Sequence, residues 1–288
     1  MKTIHDLIAI LTLEDAGNNL YSGVSKTIGG PNVFGGQVLA QALHAAYKTI
    51  SNGRIVHSLH SYFLESGNLL KPITYRVEEM RNGKSFSTRR VTAIQETNTL
   101  FIMAASFHKK EVGYEHQMSI KQDIKQPEEL LSWSEILDKF GPKLPHKMNA
   151  FLKVERPVEF KPVEMINPAS PKNLLAVEDV WFKLKGDAGT LDLPLKQQVL
   201  TYISDYNILT AALKPNAGKA NFGNTQITSL DHSMWFFRDF TFDDWMLFSI
   251  VSPNAYGSRG LAIGNIFTRT GELVGAVAQE GLIRNIRR

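Results

Sequence analysis

One carboxylate stands where a carboxylate is hard to explain. Residues 194–213 (PLKQQVLTYISDYNILTAAL) carry Val199, Leu200, Ile203, Ile208, Leu209, Ala212 and Leu213 at three- and four-residue steps, the spacing of a helix with most of its surface covered. Lys214-Pro215 supplies the stop signal. Asp205 falls in the interior of this stretch, beside Tyr202, Tyr206 and Ile208. Burying an ionised carboxylate costs several kcal/mol unless hydrogen bonds compensate, so either partners surround Asp205 or it does chemistry. A second helix is expected over residues 33–50 (VFGGQVLAQALHAAYKTI), opened by Gly35-Gly36. Two glycines at a helix start allow close approach of a ligand, and the N–H groups there suit an anion or a developing oxyanion.

These two helices belong to a repeat. After a short helix over 3–16, a strand over 19–28 and the helix over 33–50, residues 55–109 read as antiparallel strands separated by Gly67-Asn68, Asn82-Gly83 and Glu96-Thr97-Asn98. Residues 111–153 are polar and loop-rich, with a helix expected at 127–140, and form a connector. Strands return at 155–164 and 177–185, then the Asp205 helix, then strands over 226–284. His60-Ser61 and His232-Ser233 stand 172 positions apart (60 to 232), as do the runs beginning at Phe101 and Leu273, while Ala42-Leu43 and Ala212-Leu213 stand 170 apart (42 to 212). A period this long indicates a duplicated α+β unit. At these offsets Gly35 faces Asp205, His57 faces Ser229 and Phe107 faces Gln279. The C-terminal copy thus has Asp, Ser and Gln where the N-terminal copy has Gly, His and Phe. His60 and His232 read as strand braces, since repeated bases would imply two equivalent sites.

Composition narrows the classes. The chain of 288 residues, 43% hydrophobic, can bury a large core. It has no cysteine, which removes disulfides and thiolate nucleophiles and fits a reducing compartment. Its eight histidines show no metal-ligand spacing, so no metal is expected. No run reaches the ~20 apolar residues of a membrane-spanning helix. The net charge of +4 comes from scattered basic residues without a nucleic-acid motif, which favours a phosphate-bearing small molecule over RNA or DNA.

Several motifs in order resemble the acyl-CoA thioesterase II family of double-hotdog hydrolases. They are Val33-Phe34-Gly35-Gly36-Gln37, HSLHSYFL at 57–64, RNGKSFSTRRV at 81–91, Ser204-Asp205-Tyr206-Asn207, SLDHSMWF at 229–236 and QEGLIR at 279–284. Two places depart from the common pattern: Phe237 where relatives have His, and Ser66-Gly67-Asn68 for Pro-Gly-Asp. The resemblance implies two antiparallel sheets, each wrapped around a long central helix, with repeats at 1–112 and 154–288 and a connector at 113–153. It also implies hydrolysis of fatty acyl-CoA without a cofactor, with Asp205 activating water that Ser229 and Gln279 orient. Gly35, Gly36, Arg89, Arg259 and Trp235 become candidate substrate contacts, the arginines toward the phosphates of coenzyme A and Trp235 toward the acyl chain. A cytoplasmic homodimer or homotetramer is expected. The rival readings are a non-catalytic acyl-CoA- or acyl-carrier-binding module and a hotdog enoyl-CoA hydratase, which would want an Asp and a His together near a helix start.

Overall fold

The computed structural model describes residues 1–51, 53–167, 170–220 and 224–286. Arg287 and Arg288, further cations of the sequence, lie outside these. Helix α1 (Ile4–Leu11) is fixed at its start by a capping box in which Thr3 and Asp6 satisfy each other's backbone N–H groups. Two short strands follow, β1 (Glu14–Gly17) and β2 (Leu20–Gly23), where a single strand over 19–28 is expected. Helix α2 (Gly35–Lys48) is rich in Ala, Leu and Gln, strong helix formers, and is buried on nearly every side. Its two buried amides are satisfied: Gln37 Nε2 donates to Val24 O, and Gln41 Nε2 donates to Ile10 O while its Oε1 accepts from Tyr75.

Strands β3 (Ile55–Phe63), β4 (Ile73–Asn82), β5 (Phe86–Gln95) and β6 (Asn98–His108) complete the N-terminal half. The connector holds α3 (Trp133–Phe140) and α4 (His146–Lys153). Beyond them come β7 (Val158–Pro162), β8 (Val177–Leu184), α5 (Leu193–Ser204), α6 (Thr210–Leu213), β9 (Thr225–Ser229), β10 (Asp231–Phe236), β11 (Met246–Tyr256), β12 (Arg259–Thr268) and β13 (Leu273–Asn285). In place of the two separate sheets implied by the resemblance there is one continuous antiparallel sheet, ordered β1-β2-β4-β5-β6-β3-β10-β13-β12-β11-β8-β7, with β9 also on β13. The halves join where β3 pairs with β10, His60 opposite Ser233 and Ser61 opposite His232.

Nor is the second central helix continuous. It stops at Ser204, and Asn207 takes a left-handed backbone (φ +64°) before α6 begins. Asn tolerates this region better than most residues. The apolar rhythm runs through the break because both helices turn apolar faces inward, so periodicity alone could not reveal it. α2 lies over β4, β5 and β6, and α6 over β11, β12 and β8. α5 instead packs along α2, and its place ahead of α2 in the other half is a loop.

The sheet registers also correct the repeat offset. In the N-terminal half Ala93 pairs with Phe101 and Ile94 with Thr99, leaving a bulge at Leu100; in the C-terminal half Ile266 pairs with Gly275 and Phe267 with Leu273, leaving one at Val274. A second pair of bulges falls at His57 and at Leu230. Superposing bulge on bulge sets Ser229 against Val56, His232 against Leu59 and Gln279 against Ala105. The offset of 172 is therefore short by one for β3 and β10. A slip of one residue exchanges the faces of a strand, and accordingly His60 is exposed while His232 is buried. His57, at its bulge, bonds Ser106 instead of matching Ser229, and Phe107 is a core residue packed edge-on to Tyr47.

Candidate active site

Asp205 caps the C-terminus of α5. That is the negative end of a helix and a poor place for a carboxylate, so what surrounds it must compensate. The N-terminus of α2 does so in part: the Gly36 N–H bonds the Asp205 carboxylate. From β9, Ser229 Oγ stands 3.3 Å from Asp205 Oδ1, and from β13, Gln279 Nε2 stands 3.2 Å from the same oxygen. Gln279 Nε2 also lies 2.8 Å from Ser229 Oγ. Three side chains separated by 24 and 50 residues of sequence, from 205 to 229 and from 229 to 279, thus meet at one carboxylate oxygen. Burial pushes the Asp205 carboxyl up to about 6, against the lowering pull of the bonds from Gln279, Gly36 and Ser229. A carboxylate with that value is ionised near neutrality yet basic enough to accept a proton.

The other oxygen faces Gly35. A Cβ added there would sit 2.8 Å from Asp205 Oδ2 and 3.1 Å from the Phe63 ring, so only glycine leaves room beside Oδ2. Gly36 has a different job, since a Cβ on it would strike Tyr202 O at 2.5 Å; its absence lets α2 and α5 close together. Next to the carboxylate, the Phe34 ring packs on Tyr202 and Tyr206, and Tyr206 on Phe160, which meets Trp133 of the connector. Within this aromatic wall the Tyr202 and Tyr206 hydroxyls bond each other at 3.0 Å.

Two candidate contacts stand elsewhere. Arg89 is 2% exposed and spends its guanidinium on Thr49 Oγ1 and O, Arg81 O, Thr88 O and Asn82 Oδ1, with Glu79 3.0 Å away. Every N–H is engaged, so Arg89 ties the C-terminal cap of α2 to the β4–β5 hairpin and has none left for a phosphate. Trp235 alternates with the inward residues His232, Met234 and Phe236 and lies on the opposite face of the sheet, against His60. It does not line the recess of Asp205. Arg259 is half-exposed and paired with Glu280, the residue after Gln279, at 3.0 Å. Among the described residues no cluster of three or more His, Asp or Glu is arranged to hold a metal, and no helix is long and apolar enough to cross a membrane.

One residue the sequence left as a strand brace belongs to the site. His232 Nδ1 bonds Gln279 Oε1, and its Nε2 lies 3.0 Å from Ser204 Oγ, next to Asp205. The signal that could have found it, the register of β10 on β13, is hidden by the bulge at Leu230.

The chain is similar throughout its length to proteins of one kind. A family model described as acyl-CoA thioesterase matches residues 148–282, and one described as acyl-CoA thioesterase N-terminal domain matches 24–108. Acyl-CoA thioesterase 2 of Haemophilus influenzae is 39% identical over 281 residues, covering 98% of both chains. Human acyl-coenzyme A thioesterase 8 is 39% identical, covering 96% of this chain and 88% of that one. Among solved structures, the acyl-CoA thioesterase II TesB2 of Mycobacterium marinum superposes with a TM-score of 0.78 at 35% identity, over 96% of this chain and 97% of that one. A protein of Alicyclobacillus acidocaldarius described as having the hot dog fold gives the same TM-score at 13% identity over 98% of this chain and 99% of that one, a likeness of fold. With both family models placed in order and whole-length relatives well above the level at which fold alone is shared, the chain belongs to the acyl-CoA thioesterase family.

Proposed function

We propose that the chain hydrolyses fatty acyl-CoA to free fatty acid and coenzyme A, with Asp205 as general base and Ser229 and Gln279 orienting the water through the carboxylate they hold. The observation that carries this reading is the division of labour at the carboxylate: Oδ1 receives Ser229 and Gln279, while Oδ2 faces the side-chain-free position of Gly35. Water bound at Oδ2 gives a proton to Asp205 as its oxygen attacks the thioester carbon. The tetrahedral oxyanion meets the positive end of α2, whose first turn is Gly35-Gly36. Collapse expels the coenzyme A sulfur, and the proton held by Asp205 returns to it as the thiol. No covalent acyl-enzyme is needed, and no serine lies in a nucleophile elbow.

The acyl chain would lie along the wall of Phe34, Tyr206 and Phe160, and Arg259 would face the phosphates. The same reading takes 1–112 and 154–288 as two hotdog repeats joined by 113–153, and the molecule as a cytoplasmic homo-oligomer, dimer or tetramer. The test is thiol release from palmitoyl-, hexanoyl- and acetyl-CoA by wild type and Asp205→Asn. Release that varies with chain length and falls by about 10²-fold or more in the variant is expected; full activity in Asp205→Asn would sink the mechanism, and none from any chain length in the wild type would favour a binding module.

A further inference from the structure

The hydrogen bonds of the site have a direction, and it can be followed from one end. An ionised carboxylate only accepts, so the Gln279 atom 3.2 Å from Asp205 Oδ1 must be the amide nitrogen. The same nitrogen donates to Ser229 Oγ at 2.8 Å, which leaves the Ser229 hydroxyl proton free to point at Asp205. Gln279 Oε1 then faces the opposite way, onto His232 Nδ1. A carbonyl oxygen only accepts, so Nδ1 carries the proton. In the neutral ring Nε2 is then the acceptor, and the Ser204 hydroxyl, 3.0 Å from it and 2.8 Å from Thr201 O, turns its one proton to the ring. Buried without exposure, between a strand and the end of α5, the imidazole has no water to choose otherwise.

We infer that His232 is the positioning residue that sets the polarity of this site: its Nδ1–H pins the Gln279 amide with the nitrogen toward Ser229 and Asp205. A free glutamine amide can turn over, and the flipped form would present Oε1 to the carboxylate, two acceptors face to face. Deciding between the flips is the contribution of His232, made without contact with the substrate.

The duplicated half supplies an independent observation. The pair His232 and Gln279 superposes on Leu59 and Ala105, which are partners across β3 and β6 and both buried. Where the glutamine is absent the histidine is absent too, and the same two positions pack as ordinary core. The strand joint therefore does not require a histidine there; the amide does.

This inference rests on the reading of Asp205, Ser229 and Gln279 as the hydrolytic site, and the experiment separates the two. Thiol release is measured for His232→Asn, His232→Gln, His232→Phe, Gln279→Ala and the double variant His232→Phe/Gln279→Ala, with thermal unfolding recorded for each. Asn places an N–H near the Nδ1 position and Gln places one near Nε2, so kcat within about threefold of wild type is expected for Asn and a fall of about tenfold or more for Gln and Phe, with KM little changed. In the Gln279→Ala background, His232→Phe should cost nothing further, because the amide it orients is gone. Equal losses in Asn and Gln, or losses that multiply in the double variant, would overturn the role of His232. If His232→Phe does not fold, the Asn and Gln comparison decides alone. Activity retained in Asp205→Asn would instead remove the site reading, and this inference with it.

Discussion

The two halves of the chain carry their strands in the same order, and four inward positions around the carboxylate set them apart. Val56, Leu59, Ala105 and Gly35 in the first half stand where Ser229, His232, Gln279 and Asp205 stand in the second. All three strand residues of the first half are buried and apolar. The architecture is thus stable with these positions filled by hydrocarbon, and the polar set of the second half is there for another purpose. A further asymmetry follows from where the helices meet. Gly35 and Asp205 are counterparts in the repeat and also neighbours in space. A carboxylate at both would set two negative charges against each other, so one half must give way if the other is to work.

The largest effect that could break this comparison comes from the carboxylate. Asp205→Asn should lower kcat by about 10²–10⁴-fold while leaving the fold intact. The variant should also be the more stable protein near neutrality, by roughly 1 kcal/mol after allowing for partial exposure. The folded carboxyl titrates at about 6 against 3.8 for a free aspartate, so between those values the folded state holds more protons than the unfolded one. Wild-type stability therefore falls relative to the variant as pH rises from about 4 to about 6 and is level above. A stability difference between the two that does not change with pH would show that the carboxyl is not perturbed.

Next in size is Gly35→Ala, whose methyl would occupy the room beside Oδ2. Loss of about 10²-fold in kcat with a melting temperature near wild type is expected, whereas Gly36→Ala, pressed on Tyr202 O, should chiefly lower the melting temperature. Gln279→Ala, which makes the second half resemble the first, should reduce kcat by about 10-fold to 10²-fold and lower the melting temperature, since the buried His232 Nδ1–H loses its acceptor. In a pH profile, kcat/KM should decline below about pH 6, tenfold per pH unit, as Asp205 takes up its proton. The smallest effect on activity belongs to Arg89→Ala: KM should be unchanged, and chemical denaturation should show a loss of about 2–4 kcal/mol from the stranded acceptors around Thr49 and Asn82. A raised KM for coenzyme A esters would return Arg89 to the substrate.

Much of the arrangement was legible because the chain is written twice. The oddity of Asp205, the helix at α2, the string of strands and the polar character of Ser229 and Gln279 against their counterparts could all be read from residue types. The pairing of counterparts could not, because bulges at His57 and Leu230 and an extra residue in the β12–β13 turn shift the register by one, and matching letters such as His60-Ser61 and His232-Ser233 then fall on opposite faces. Arg89 misleads through its type: a guanidinium suggests a phosphate partner, yet three of its acceptors are main-chain oxygens that no sequence displays. The helix break at Asn207 was masked by an apolar pattern that continues across it.

The pairing of β3 with β10 has a consequence for how such a molecule can be divided. Each of those strands would be a raw edge if its half stood alone, with a row of N–H and C=O groups unmatched. Severing the chain within the connector should consequently yield two fragments that recover order only in each other's company, because the unit of folding is the sheet and the sheet belongs to neither fragment.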